Sequence, residues 1–278
     1  MENKMNWGVR GHDISAEDLP ELSKKLKSYG IGSVQLVLKK SCKDFCEGMF
    51  SPAFAKKIGK TFDENDVDIA ILGCYINPSS TNEESLQKEL NYFVESLKYA
   101  KFMNAGVVGL ETGFVGDTCI AENNRTEEAY KHLFKNMSFL RDNAEKLGVI
   151  IAVEAVSFFV INSPERMHRL ISELDSPNMA VIFDLLNLIT LENYNNQEEI
   201  INKAFELLRE KIAVIHLKDF NIVDGCIRQC PLGEGLVNIP YLLSMVKKHK
   251  PNVPVILEEV KEDDLIRSLN YLNSLDLD

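Results

Sequence analysis

Six cysteines among 278 residues are too few to staple a fold, and no Cys-x-x-Cys pair occurs, so a disulfide framework of the secreted kind is excluded. Cys42/Cys46 and Cys226/Cys230 share a Cys-x-x-x-Cys spacing that could hold zinc only if two distant loops met; free, inert thiols are the expectation. There is no Gly-x-Gly-x-x-Gly, which argues against a dinucleotide-binding doubly wound sheet. Gly59-Lys60-Thr61 mimics the end of a phosphate loop by chance, since Phe54 stands where its first glycine belongs and the preceding segment reads as helix. No apolar run spans a bilayer: the longest, 149–161, is interrupted by Glu154. The first ten residues lack an apolar signal core, so a cytoplasmic location is expected. Lysine and arginine form no block, and 31 basic against 42 acidic residues leave a net charge of −11. Such a surface repels phosphate, so neither nucleic acid nor an anionic membrane is an expected partner. Nor is there a Pro/Ser/Gly-rich linker, and residues 1–278 read as a single domain.

What the chain has instead is a regular alternation. Short apolar runs at 7–9, 33–38, 68–75, 107–110, 149–156, 179–183, 212–217 and 253–257 are separated by stretches of helical period. The helical stretches are 17–28, 52–64, 83–103, 126–147, 163–173, 197–209, 239–248 and 263–275. Several runs, such as Val-Ile-Ile-Ala-Val, are apolar on both faces, as strands of a helix-covered parallel sheet must be. Ser163-Pro164-Glu165 offers a helix cap, proline in the first turn and an acidic start, and Gly148 a helix stop. Eight strands alternating with eight helices predict a (β/α)₈ TIM barrel.

In such a barrel the chemistry lies where strands end. The last four runs all close on a metal-ligand type: Val153-Glu154, Phe183-Asp184, Ile215-His216 and Leu257-Glu258. Three carboxylates and an imidazole at one rim make an O₃N set suited to Mn²⁺, Mg²⁺, Co²⁺ or Zn²⁺, and a dication offsets their mutual repulsion. One capped strand-end acid would be unremarkable; four in succession point to a site.

With these residues in order, the chain resembles the xylose isomerase-like TIM barrels. That family includes sugar epimerases of the tagatose epimerase type, inosose isomerases and dehydratases, hydroxypyruvate isomerases and the endonuclease IV group. The matching segments run from Gly8-Val9-Arg10-Gly11-His12-Asp13 through Cys74-Tyr75-Ile76-Asn77-Pro78, Glu111-Thr112-Gly113, Val153-Glu154 and Asp184-Leu185-Leu186-Asn187 to His216-Leu217-Lys218-Asp219, Pro231-Leu232-Gly233-Glu234-Gly235 and Leu257-Glu258. The resemblance implies that Glu154, Asp184, His216 and Glu258 bind one divalent ion, with Glu154 and Glu258 also the catalytic acid and base. It implies substrate binding by His12, Asn77, Glu111, Asn187, Lys218 and Arg228, and a small sugar or polyol as partner, with further copies of the chain in any assembly. Asn187 departs from relatives with histidine there; it can hydrogen-bond substrate but cannot act as an acid near neutrality. Helix-borne His132, His168 and His249 read as surface residues.

The expected activity is a metal-dependent isomerisation or epimerisation of a small sugar, ketose or keto-inositol through an enediolate. A dehydratase shares that enolisation. An endonuclease IV-like repair enzyme would need more histidine ligands and a basic groove, and an inactive sugar-binding barrel would need the glutamate pair to fail.

Overall fold

A computed structural model describes residues 5–277. Eight parallel strands close into a barrel: β1 (Asn6–Arg10), β2 (Ser33–Leu36), β3 (Asp68–Gly73), β4 (Val107–Glu111), β5 (Ile151–Glu154), β6 (Met179–Asp184), β7 (Ile212–Leu217) and β10 (Pro254–Leu257). They neighbour one another in chain order, and β10 pairs with β1 to seal the ring. A two-stranded hairpin, β8 (Asp219–Val223) and β9 (Cys226–Cys230), stands on the rim after β7. Among the described residues no helix is long and apolar enough to cross a membrane.

The outer helices form where side-chain caps and apolar stripes coincide. The N-termini of α1 (Leu19–Ser28), α3 (Pro52–Asp63), α4 (Glu83–Met103), α6 (Glu127–Leu147) and α7 (Pro164–Leu174) are capped by Asp18, Ser51, Asn82, Thr126 and Ser163. Each cap oxygen satisfies a backbone N–H that the helix itself leaves open. Gly148 ends α6 at φ +68°, a left-handed conformation that costs glycine little.

Two layers of side chains fill the barrel interior, and strand periodicity relates them. Successive side chains of a strand alternate between faces, so residues two apart point the same way, roughly 6.5–7 Å apart along the strand. Ala152, Ile182, Val214 and Ile256 belong to an aliphatic cluster inside the ring, together with Ile71 and Val107. Glu154, Asp184, His216 and Glu258 follow each of the first four by two residues. Gly109 keeps this plug tight, because a Cβ there would come within 2.8 Å of Ile71 and 3.0 Å of Ile182.

Two departures from the sequence reading stand out. The run 33–38 stops as a strand at Leu36 and turns into the short α2 (Leu38–Ser41). The segment 219–230, outside the eight apolar runs and the eight helical stretches, is the β8–β9 hairpin. Its signal is Asp224-Gly225, both at positive φ (52° and 70°), as a two-residue turn of this hand requires.

Candidate active site at the barrel mouth

A cavity of about 460 Å³ opens at the C-terminal ends of the strands, lined by Glu111, Glu154, Asn187, Lys218 and Glu258 on one side and by Arg10, His12, Gln35, Lys39 and Tyr75 on the other. Ligand atoms of Glu154, Asp184 and His216 lie within 4.8 Å of one another, and all three residues are buried. His216 Nδ1 is 3.2 Å from Glu154 Oε1, 3.4 Å from Glu258 Oε1 and 3.8 Å from Asp184 Oδ2. Two carboxylates and an imidazole gathered in this way fit a divalent ion.

Glu258, the fourth expected ligand, stands beside this group rather than within it. Lys218 Nζ lies 2.7 Å from its Oε2, and Gln35 donates to its Oε1 at 3.2 Å. Lys218 also lies 2.8 Å from Asp184 Oδ2. The ammonium thus bridges Asp184 and Glu258, a consequence of placing Lys218 two residues beyond His216. The backbone turns sharply just after Glu258. Glu259 sits at φ +57°, a strained region for a non-glycine residue, and its N–H donates to Asp13 Oδ2 at 3.0 Å. Asp13 is itself gripped by Arg10 through two bonds of 2.8 and 3.0 Å, which ties the β10 exit to the β1 exit.

The cluster's electrostatics follow from this packing. Burial alone would lower the His216 pKa, but Glu258 and Glu154 outweigh it and raise it to about 9. Glu154 is pushed up by burial among the other carboxylates, whereas burial of Glu258 is overcome by His216, Lys218 and Arg10, which bring it down to about 2. Glu111, at the end of β4, is raised to about 7 by burial and by the charge of Glu154. Two glutamates on opposite sides of one imidazole therefore differ in proton affinity.

Not every expected substrate contact faces this cavity. Asn187 does, donating to Glu154 Oε1 at 2.6 Å, and so do Glu111, Lys218 and His12. The His12 Nδ1 is buried without a hydrogen-bond partner. Asn77 does not line the cavity: its Oδ1 accepts from the N–H groups of Ser79 and Phe114 and its Nδ2 donates to the Phe114 carbonyl, so its polar atoms brace two loops together. Arg228 is exposed on β9 opposite Asn221 and is also absent from the lining; its neighbour Gln229 reaches the cavity instead, because adjacent strand residues face opposite ways. His132 is half-buried, its Nε2 2.8 Å from the Ser80 carbonyl, and His249 packs on Phe205, while His168 is exposed. All six cysteines are free, and among the described residues none joins a group of potential metal ligands.

Three further residues, to which the sequence pattern assigns no individual role, shape the site. Gln35 is the one amide in the apolar run 33–38, a signal in itself, and it donates to the Tyr75 hydroxyl at 2.6 Å as well as to Glu258. Tyr75 had been read only as part of a motif. Asp219, buried after Lys218, accepts four backbone N–H groups, from Phe220, Gly233, Gly235 and Val237, at 2.9–3.0 Å. It knots the 231–237 turn to the hairpin that carries Gln229. Gly235 permits this, since a Cβ there would fall 2.4 Å from the Phe220 carbonyl oxygen.

The barrel agrees with comparison to known proteins. The chain belongs to the xylose isomerase-like TIM barrel family, which residues 23–275 match. It is 28% identical, over 145 residues, to a putative L-ribulose-5-phosphate 3-epimerase of Haemophilus influenzae, a stretch covering 51% of this chain and 49% of that one. Its fold is similar to that of a D-tagatose 3-epimerase-like protein, with a TM-score of 0.76 and 22% identity over 97% of this chain and 96% of the other. It is also similar to the IOLI protein, whose structure holds a zinc atom, with a TM-score of 0.71 and 15% identity over 97% of this chain and 96% of that one.

Proposed function

We propose that this protein is a divalent-metal-dependent isomerase or epimerase of a small sugar, ketose or keto-inositol. The carrying observation is the buried convergence of Glu154, Asp184 and His216, with Glu258 across the imidazole and facing the same cavity. Glu154, Asp184 and His216 would hold the ion, with Glu258 at hand as a fourth ligand. Bound there, a divalent ion acts as a Lewis acid toward adjacent hydroxyl and carbonyl oxygens and acidifies the hydrogen alpha to the carbonyl. Glu154 and Glu258, which face the same cavity, are the two carboxylates that would remove that proton and return one. Asn187 and Gln35 orient the two carboxylates through bonds to Glu154 and Glu258. Lys218 and Glu111 line the space a substrate's oxygens would enter. The sugar epimerase names among its relatives support this reading.

The test is metal analysis of protein purified without chelator, followed by a ketose and inosose panel in deuterated water. Deuterium at the carbon alpha to the carbonyl in the product is the expected outcome. Loss of a β-hydroxyl as well would make the enzyme a dehydratase. Isomerisation without solvent deuterium would favour a hydride shift and remove the acid and base roles of the glutamates. The net charge of −11 argues against nucleic acid as a partner. Salt-sensitive binding to duplex DNA, or cleavage at abasic sites, would overturn that part.

A further inference from the structure

We propose that Lys218 is a built-in competitor for the metal site: its ammonium holds Asp184 and Glu258 together and has to release Asp184 before an ion can take that carboxylate. This rests on the metal-site reading above and adds to it a residue that sets how tightly the ion is held.

Asp184 has both oxygens committed. Its Oδ1 accepts from the Asn187 backbone N–H at 3.1 Å, and its Oδ2, buried without a hydrogen-bond partner, is ion-paired with Lys218 Nζ at 2.8 Å. The Asn187 N–H is part of the backbone of a 3₁₀ turn, Leu186–Leu188. Lys218 can withdraw, because its charge rides on a flexible four-carbon stem. A second position is already within reach: Nζ is 2.7 Å from Glu258 Oε2 and 3.4 Å from Asn187 Oδ1, and the side chain, only 9% exposed, borders the cavity. Leaving Asp184, the ammonium keeps Glu258 and points into the space where a substrate oxygen would lie.

Competition follows from charge and from room. Metal–oxygen bonds are about 2.0–2.6 Å, and an ammonium at hydrogen-bonding distance from the same oxygen would face a dication at close range in a buried setting, where charges are weakly screened. Removing the ammonium relieves that repulsion and leaves Asp184, Glu154 and Glu258 with less positive charge among them, so both effects favour the ion. A lysine whose role was to brace the ligands would act the other way: its loss would disorder Asp184 and Glu258 and weaken binding.

The experiment is calorimetric titration of Mn²⁺ into chelator-stripped full-length protein, comparing wild type with Lys218→Met and Lys218→Gln. Both variants are expected to bind at least tenfold more tightly, and Lys218→Arg, which keeps the charge, to stay within a few-fold of wild type. Equal or weaker binding by the two neutral variants, with ion still bound by wild type, would overturn the competition and leave the metal reading standing. No stoichiometric ion in any of the proteins would overturn both. A measurement on wild type alone guards against variants that do not fold. Acetylation of Lys218, followed by mass spectrometry, should be several-fold faster with saturating Mn²⁺ than without it, and unchanged or slower labelling would count against displacement.

Discussion

The two layers inside the barrel lie on the same faces of the same strands, yet they do opposite things. In the plug, the side chains of Ala152, Ile182, Val214 and Ile256 pack carbon against carbon and bring no charge into the interior. Two residues further along, Glu154, Asp184, His216 and Glu258 bury charge that Lys218, Arg10 and one another offset. The plug closes the barrel by burying apolar area, whereas the mouth gathers like charges that lower stability and make chemistry available. A parallel strand allows the switch within one period because its C-terminal end leaves the packed ring and meets loops and solvent.

Substitutions that separate chemistry from stability should break this contrast most clearly. Glu154→Gln or Glu258→Gln keeps an oxygen and the side-chain volume but removes the proton acceptor. Turnover of a substrate found in the panel should fall by about 10²–10⁴-fold, while the melting temperature holds or rises for Glu154→Gln, whose charge burial disfavours, and falls for Glu258→Gln, which leaves Lys218 and His216 without that partner. Steady-state kinetics beside calorimetry checks this, and a variant with near-normal turnover would remove that glutamate from the acid–base pair.

The converse expectation applies to the plug. Ile182→Ala should cost about 2–5 kcal/mol in urea unfolding, through lost burial and a residual cavity. Turnover per folded molecule should change little, since no reacting group is touched. A large kinetic effect with little loss of stability would mean that plug and mouth are not separable.

Asp219 lies between the two roles. Asp219→Asn retains the shape but turns an amide NH₂ toward backbone N–H donors, so a loss of roughly 2 kcal/mol is expected. Hydrogen exchange should quicken at the Gly233, Gly235 and Val237 amides that Asp219 now holds. Unchanged exchange there would show that the turn is fixed by other contacts.

The smallest effect should come from Glu111. Its folded pKa, about 7, stands above the ordinary 4.5, so between those values the folded chain holds a proton that the unfolded chain releases. Stability therefore falls as pH rises through that window. Glu111→Gln should remove the penalty, gaining about 1–2 kcal/mol at pH 8 after allowance for partial exposure, and almost nothing near pH 4.5. Equal gains at both pH values would trace the effect to packing rather than to charge.

Much of this could be read in the chain beforehand, and the misses share a cause. Runs such as Val-Ile-Ile-Ala-Val are apolar on both faces whatever surrounds them, so the strands, the helices between them and the closed barrel were legible. The polar residues closing the last four strands were legible for the same reason, since strand period puts each on the face of the aliphatic residue two before it. Asn187, three residues after Asp184, lies at the mouth and donates to Glu154. Asn77 and Arg228 are not part of the cavity lining, since a loop amide can turn to backbone as easily as to substrate, and adjacent hairpin residues face opposite ways, so that Gln229 reaches the cavity. The hairpin itself was marked by Asp224-Gly225 but hidden by the polar residues around it.

Local pattern alone thus determined the order of the elements and which strand ends carry acids and imidazole, because both depend on residues at most a few positions apart. Which of those groups share a cavity, and which charge answers which, was decided only by closure of the ring. Lys218 reaches Asp184 and Glu258, and Gln35 reaches Glu258, across 34, 40 and 223 positions of chain, and Coulomb energy depends on separation in space rather than along the sequence.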